Sequence, residues 1–330
     1  MGKVVVVTGA SAGVGRAAAI AFGRRGDRVA LIARGADSLE GASREVIQAG
    51  GEPLAIPADV GRHDEVEGAA ERVETELGPI DIWVNNAMAT VFAPFAEIEP
   101  EEFARATEVT YLGLVWGTRA ALRRLKPRNS GVIVQVGSAL AYRGIPLQAP
   151  YCGAKHAIKG FTESVRSELL HERCRVRLTM VQLPAVNTPQ FEMSRAKLDR
   201  HPQPVPPIYQ PEVAARAIVW ASDHHRREVY VGGPTVKTIW ANKVLPAAAD
   251  RYLARNGYGA QLTDERLNGG REGNLFAPVP GDHGTRGRFS NCRSGSLQLA
   301  LTKHRATIAG AMGVAVLGAA AEVSRRLRRG

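Results

Sequence analysis

The stretch KVVVVTGASAGVG, Lys3 to Gly15, constrains the fold more than any other part of the chain. Its four consecutive valines are apolar on both faces, which suits a parallel strand covered by helices on each side. The run ends at Gly9, and Gly13 and Gly15 follow as the helical pattern GVGRAAAIAFGRRG begins, closed by Gly26. GVGRAA also satisfies G-x-G-x-x-[GA], with Ala18 as the last member. Glycines at such a turn let backbone amides approach a phosphate at the helix N-terminus with no Cβ in the way. A bare tight turn would also use glycines, but the position between a first strand and a helix favours a dinucleotide site.

The alternation continues along the chain. RVALIAR (28–34), EPLAIPADV (52–60), IDIWVNNA (80–87), GVIVQVGS (131–138), RVRLTMVQLP (175–184) and REVYVGG (227–233) read as further strands. Helical segments fall between them at 37–49, 62–77, 100–126, from Tyr151 to about His171, and near 212–222. This order predicts an α/β fold, a Rossmann-type doubly wound parallel sheet of about seven strands with flanking helices. The expected division is a domain over 1–245, an irregular C-terminal extension over 246–304, and an apolar segment with basic flanks over 305–330. The extension earns that description because 262–300 is rich in Gly, Asn, Arg and Asp and carries few periodic runs. The proline-rich HPQPVPPIYQP (201–211) reads as a loop.

Charge and cysteines narrow the partners. The formal net charge of +11 invites a nucleic-acid reading. The basic residues are scattered through the first 240 positions and bunch only in KHR (303–305) and RRLRRG (325–330), without interleaved aromatics, so no nucleic-acid partner is expected. Cys152, Cys174 and Cys292 form no C-x-x-C pair, which fits a reducing, cytoplasmic setting. The eight histidines show no ligand spacing, and no metal site is expected. Met1 running into the first strand gives the expectation of no signal peptide.

Cofactor type is read at the end of the second strand. A carboxylate there would accept from a ribose 2′-OH; this chain instead has Ala33 and Arg34. An arginine pairs with a 2′-phosphate, so NADP(H) is expected over NAD(H). In YCGAKHAIKG (151–160), Tyr151 and Lys155 stand four residues apart, on one helical face. Ser138 ends the fifth strand, at the sheet edge where parallel α/β folds bind ligands.

TGASAGVG (8–15), NNA (85–87), Ser138, YCGAK (151–155) and LPAVNTP (183–189) occur in one order across one α/β chain. In this combination the sequence resembles the short-chain dehydrogenase/reductase family, over residues 3 to about 240. The resemblance implies that Tyr151 is the general acid in reduction and the base in oxidation. It implies that Lys155 lends positive charge and holds the nicotinamide ribose, and that Ser138 bonds the substrate oxygen. Gly9, Ser11, Gly13, Val14 and Gly15 would hold the cofactor through the glycine loop. Asp59 would bind the adenine amino group, with the Val60 backbone beside it, and Asn86 would brace the adjoining strand. Val186 and Thr188 would complete the cofactor site, Thr188 on the nicotinamide carboxamide. Two positions depart from the family pattern. Met88 replaces the glycine of NNAG, and Thr110 replaces an asparagine that anchors a relay water, where its hydroxyl would be a partial substitute.

The function implied is an NADP(H)-dependent oxidoreductase interconverting a hydrophobic ketone or aldehyde and its alcohol, as a homodimer or homotetramer. A cofactor-binding regulator or scaffold with little turnover remains the alternative. TVFAPF (90–95), ALAY (139–142), Phe191 and Met193 are the expected pocket walls, while Cys152 and His156 are expected to pack the helix. For the uncharged run ATIAGAMGVAVLGAAA (306–321), two readings stay open: a membrane contact through 306–324 at the cytoplasmic face, or a helix docked on the main domain.

Overall fold

In the computed structural model, which describes residues 2–267 and 269–305, the long-range order is set by seven parallel strands. They are β1 (Val4–Thr8), β2 (Arg28–Ala33), β3 (Glu52–Pro57), β4 (Ile82–Asn85), β5 (Val132–Ser138), β6 (Arg177–Leu183) and β7 (Glu228–Tyr230). All seven are the strands read from the sequence, in the spatial order β7-β6-β5-β4-β1-β2-β3. Strand order runs outward in opposite directions from β1 and β4, which leaves a crevice beyond their carboxyl ends. The register Val5↔Ile82, Val6↔Trp83, Val7↔Val84 brings those two ends level, so the glycine loop after β1 meets Asn86 after β4.

Both faces of the sheet are covered, as the continuous valine run requires. Val5 and Val7 point into one buried cluster, with Phe22 of α1 (Gly13–Gly23) and Ile218 of a C-terminal helix, Pro211–Asp223. Val4 and Val6 point into the other, with Val66 of the helix His63–Glu76 and Leu125 of a helix packed behind β4 and β5. Burying each such side chain contributes about 1.5–3 kcal/mol.

The predicted helix over 100–126 is interrupted. It divides into Pro100–Thr107 and Gly113–Leu125, joined by a five-residue π-helical turn, Glu108–Leu112. π-turns cluster at functional sites because the extra residue pushes the chain outward. This one carries Thr110.

The extension contains more regular structure than its composition suggests. Pro246–Asn256 and Leu297–Lys303 are helices, the first following directly on the helix Gly233–Val244 that ends the preceding part. Leu262–Arg266 pairs antiparallel with Arg200–Pro202, and Cys292–Arg293 pairs with Ile208–Tyr209. These elements are short and their partners distant, so no periodicity marks them. Among the described residues, no helix is long and apolar enough to cross a membrane. The contact expected through 306–324 lies outside the described residues.

The first test concerns the turn. A Cβ on Gly15 would collide with the Gly9 carbonyl oxygen and lie 2.5 Å from Asn86 Nδ2. Gly15→Ala is therefore expected to lower the unfolding free energy by about 1–3 kcal/mol through overpacking. Urea titration checks it: the midpoint should fall with an unchanged slope, and an unmoved midpoint would contradict the close approach.

Candidate active site

The floor of the site is the turn after β1. Gly9 and Gly13 have φ of +65° and +56°, in the left-handed region, and a Cβ on Gly9 would lie 2.8 Å from the Ala87 Cα. Asn86 locks this approach. Its Nδ2 donates to the Thr8 carbonyl at 3.0 Å and the Gly9 carbonyl at 3.3 Å, and its backbone N–H donates to Thr8 Oγ1 at 3.0 Å. The expected bracing role of Asn86 matches these bonds.

Above this floor opens a cavity of about 450 Å³. Gly9, Ser11, Gly13, Val14 and Asn86 line it, and so do Val186 and Thr188, with the Thr188 side chain close against Gly13. Ser138, Tyr151 and Lys155 line the same cavity. Met88 also reaches the wall, so the family's missing glycine becomes a lining side chain.

The three central side chains come from β5 and from the helix Ala149–His171, which starts just after the loop that follows β5. Lys155 is 3% exposed; its Nζ donates to the Val136 carbonyl at 2.8 Å and lies 5.4 Å from the centre of the Tyr151 ring. An ammonium has three hydrogens, so two remain for other partners. Ser138 Oγ accepts from the Leu140 N–H at 3.1 Å, which leaves its own hydrogen to donate. Burial pushes the Tyr151 phenol well above its usual range, and its hydrogen bond with Ser138 works against that rise. Burial pushes the Lys155 ammonium down to about 8.

Several expectations are corrected. Thr110 is 1% exposed and does not line the cavity. Its hydroxyl donates to the Ala89 carbonyl at 2.8 Å and accepts from the Ala89 N–H at 2.9 Å. The one hydrogen it has is spent on the chain after β4, so the hydroxyl does not substitute for a relay anchor. TVFAPF (90–95) is also absent from the wall; Val91, Phe92 and Ala93 are fully buried, with Val91 and Phe92 paired against Arg195 and Ala196. Of ALAY, Ala139 and Leu140 line the cavity, while the Tyr142 hydroxyl turns to Glu228. Phe191 and Met193 are lining residues as expected. Cys152 is buried and His156 Nδ1 contacts the Cys152 carbonyl at 2.8 Å, in keeping with helix packing.

Other walls were not foreseen. Gln203–Pro207, from the proline-rich loop, and Tyr252, Leu253 and Asn256 from the extension all line the cavity. Gln148 donates to Gln261 Oε1 at 2.7 Å, and Gln261 Nε2 donates to the Pro146 and Gly257 carbonyls at 2.9 and 2.8 Å. This buried amide chain ties the extension to the loop before Tyr151. Arg143 also reaches the wall, with its guanidinium held by Asn242 at 3.1 Å and by Asp250.

Arg34, Asp59 and Val60, expected on the adenosine side, do not line the cavity. Arg34 donates to the backbone carbonyls of Asn274, Leu275 and Phe276. The Asp59 carboxylate pairs with Arg105 and accepts from the Gly61 N–H at 2.9 Å. Val60 is 5% exposed, in the same buried cluster as Leu275. The residues present fit a nicotinamide dinucleotide from the glycine loop to Thr188, where only glycines leave room. At the adenosine end they do not, because Arg34 and Asp59 are already bonded within the chain and Val60 is packed in one buried cluster with Leu275.

Residues 3–199 match the model of a family described as short chain dehydrogenase. The chain is similar to "Uncharacterized oxidoreductase YxnA" of Bacillus subtilis, 32% identical over 296 residues, covering 88% of this chain and 83% of that protein. It is similar to 3-dehydrosphinganine reductase of Danio rerio, 32% identical over 195 residues and 58% of each chain, so it spans little more than half of that relative. Among solved structures, an alcohol dehydrogenase from the archaeon Thermococcus sibiricus, complexed with 5-hydroxy-NADP, aligns with a TM-score of 0.59 at 28% identity, covering 70% of this chain and 96% of that one.

The buried ammonium generates a stability prediction. A free lysine titrates at 10.5, and Lys155 at about 8 in the folded chain. Between those values the unfolded chain holds more protons, so this group makes stability rise with pH. At pH 7 both states are protonated, and the buried charge costs about 3 kcal/mol. Lys155→Met should raise the unfolding free energy of the cofactor-free protein by about 1–3 kcal/mol at pH 7, and by less at pH 10. Urea titrations at both pH values measure it; a variant less stable than wild type at pH 7 would contradict the burial.

Proposed function

The chain belongs to the short-chain dehydrogenase/reductase family, oxidoreductases that act on CH–OH groups with a nicotinamide cofactor, and from that premise we propose an NADP(H)-dependent enzyme for a hydrophobic ketone or aldehyde and its alcohol. The observation that carries the reading is that Ser138, Tyr151 and Lys155 line one cavity together with the glycine loop and Thr188.

The cofactor, when bound, supplies or receives the hydride. The chain's own residues do the rest. Ser138 donates its free hydrogen to the substrate oxygen and fixes its orientation. Tyr151 gives its phenolic proton to that oxygen in reduction and takes it back in oxidation. The Lys155 ammonium favours the ionised phenol, offsetting part of the burial that opposes it. Thr188 and Val186 hold the nicotinamide end, and Gly9, Ser11, Gly13 and Val14 face the diphosphate. Asp59 and Val60 are proposed for the adenine and Arg34 for the 2′-phosphate.

Substrate class follows from the walls. Leu140, Ile145, Phe191, Met193, Val205 and Leu253 are apolar. Arg143 has its charge met by Asp250, so among the described lining residues Lys155, proposed for the cofactor ribose, is the one cation without an acidic partner. The reductase of Danio rerio, named for 3-dehydrosphinganine, and the NADP complex of the archaeal enzyme support an apolar ketone and a phosphorylated cofactor.

Two experiments test this reading. Tyr151→Phe should lower kcat by about 10²–10⁴-fold, the usual worth of general acid–base catalysis, with NADPH affinity within about threefold of wild type. A variant with near-wild-type turnover would remove Tyr151 from the chemistry. Arg34→Asp should lower the NADPH-over-NADH affinity ratio by about 10–100-fold, through loss of a charge-assisted pair and added repulsion. A wild-type ratio near one would contradict the NADP(H) assignment.

A further inference from the structure

From Asn274, itself a lining residue of the cavity, one chain segment satisfies the groups proposed for the adenosine half of the cofactor. Leu275 is 0% exposed and belongs to the buried cluster that contains Ala58, Val60 and Val109. Arg34 gives its fork to three successive carbonyls: Asn274, Leu275 at 3.2 Å and Phe276 at 3.0 Å. Arg105, paired with Asp59, donates to the Leu275 carbonyl at 3.3 Å. Further along, the Gly284 carbonyl accepts from the Gly13 N–H at 3.2 Å, and the Asp282 carboxylate pairs with the buried Arg16. The segment therefore offers an apolar side chain where a base would lie, and oxygens to the amide and guanidinium groups that would meet phosphates.

We infer that Asn274–Gly284 is an intramolecular ligand of the adenosine-side subsite, a strap that a dinucleotide displaces when it binds. The inference rests on the proposed reading of the cavity as a nicotinamide-cofactor site. Within the stretch the partners include the groups proposed for the cofactor, together with Ser38, which donates to the Gly281 carbonyl at 2.8 Å, and independent anchors stand on either side. Upstream, Arg271 donates to the Phe191 and Ser194 carbonyls at 2.8 and 3.0 Å. Downstream, Asn187 bonds Gly287 and Phe289 at 3.0–3.2 Å. Between these anchors, Gly281 and Gly284 have φ of +92° and +67°, with open space where a Cβ would stand. A phosphate also offers Arg34 a full opposite charge and a bidentate partner, which backbone carbonyls lack. A phosphorylated ligand thus competes on favourable terms.

Displacement lowers the apparent affinity of every full-length dinucleotide by the same fraction, whatever its 2′ group. Leu275→Ser removes the buried anchor, so it should tighten NADPH and NADH by the same factor, at least about tenfold, leaving their ratio unchanged. Binding of nicotinamide riboside, which carries no phosphate to compete with Gly284 for the Gly13 N–H, should stay within about twofold, while 2′,5′-ADP should tighten like NADPH. Titration calorimetry reads all four. On the wild-type chain, hydrogen exchange gives a second readout: saturating NADPH should raise exchange at 274–284 while it protects the glycine loop. Unchanged affinities in Leu275→Ser, or added protection of 274–284, would overturn the strap and leave the function reading standing. No binding of any nucleotide to either chain would instead overturn the function reading, and the strap with it.

Discussion

The Gly15 Cα lies so close to the Gly9 carbonyl and the Asn86 amide that no side chain fits between them, and the rest of the site depends on that approach. It holds the end of β1 against the end of β4. Asn86 can then satisfy two carbonyls at once. The same register fixes β5 beside β4, so Ser138 at the tip of β5 comes within reach of Tyr151 on the next helix. The reactive groups sit on a sheet edge and one long helix, both rigid.

Lys155 shows the stability that this arrangement gives up. Only one carbonyl meets its buried ammonium among the described hydrogen bonds, and burial depresses its affinity for a proton. A hydrophobic residue of similar length would suit the fold better. The charge is retained where it can act on the Tyr151 ring, 5.4 Å away. The strap makes a comparable trade at the other end of the site, because it buries Arg34 against neutral carbonyls, and that burial lowers the guanidinium's pKa.

Legibility from sequence followed the range of the contacts. The seven strands, the glycine loop and the Ser138, Tyr151 and Lys155 set were readable because periodicity and spacing are local signals. Asn86 was reached only through the family resemblance of NNA (85–87). The strap was not, since Leu275 and Arg34 are separated by 241 residues and 267–291 carries no helical or strand period. TVFAPF misled for the opposite reason. An apolar run near a site looks like a pocket wall, yet here its middle residues are fully buried core. Thr110 was placed correctly in the chain but not in its role, because a hydroxyl bonded twice to Ala89 leaves no hydrogen for a relay.

The central claim is that this cavity brings a nicotinamide C4 and an apolar carbonyl carbon together beside Tyr151. The most direct measurement uses NADPH deuterated at C4, incubated with the full chain and a panel of apolar ketones and aldehydes, with products analysed by mass spectrometry. The account predicts an alcohol carrying the deuterium on its carbinol carbon. NADPH bound at the glycine loop with no deuterium transferred to any carbonyl in the panel would contradict it.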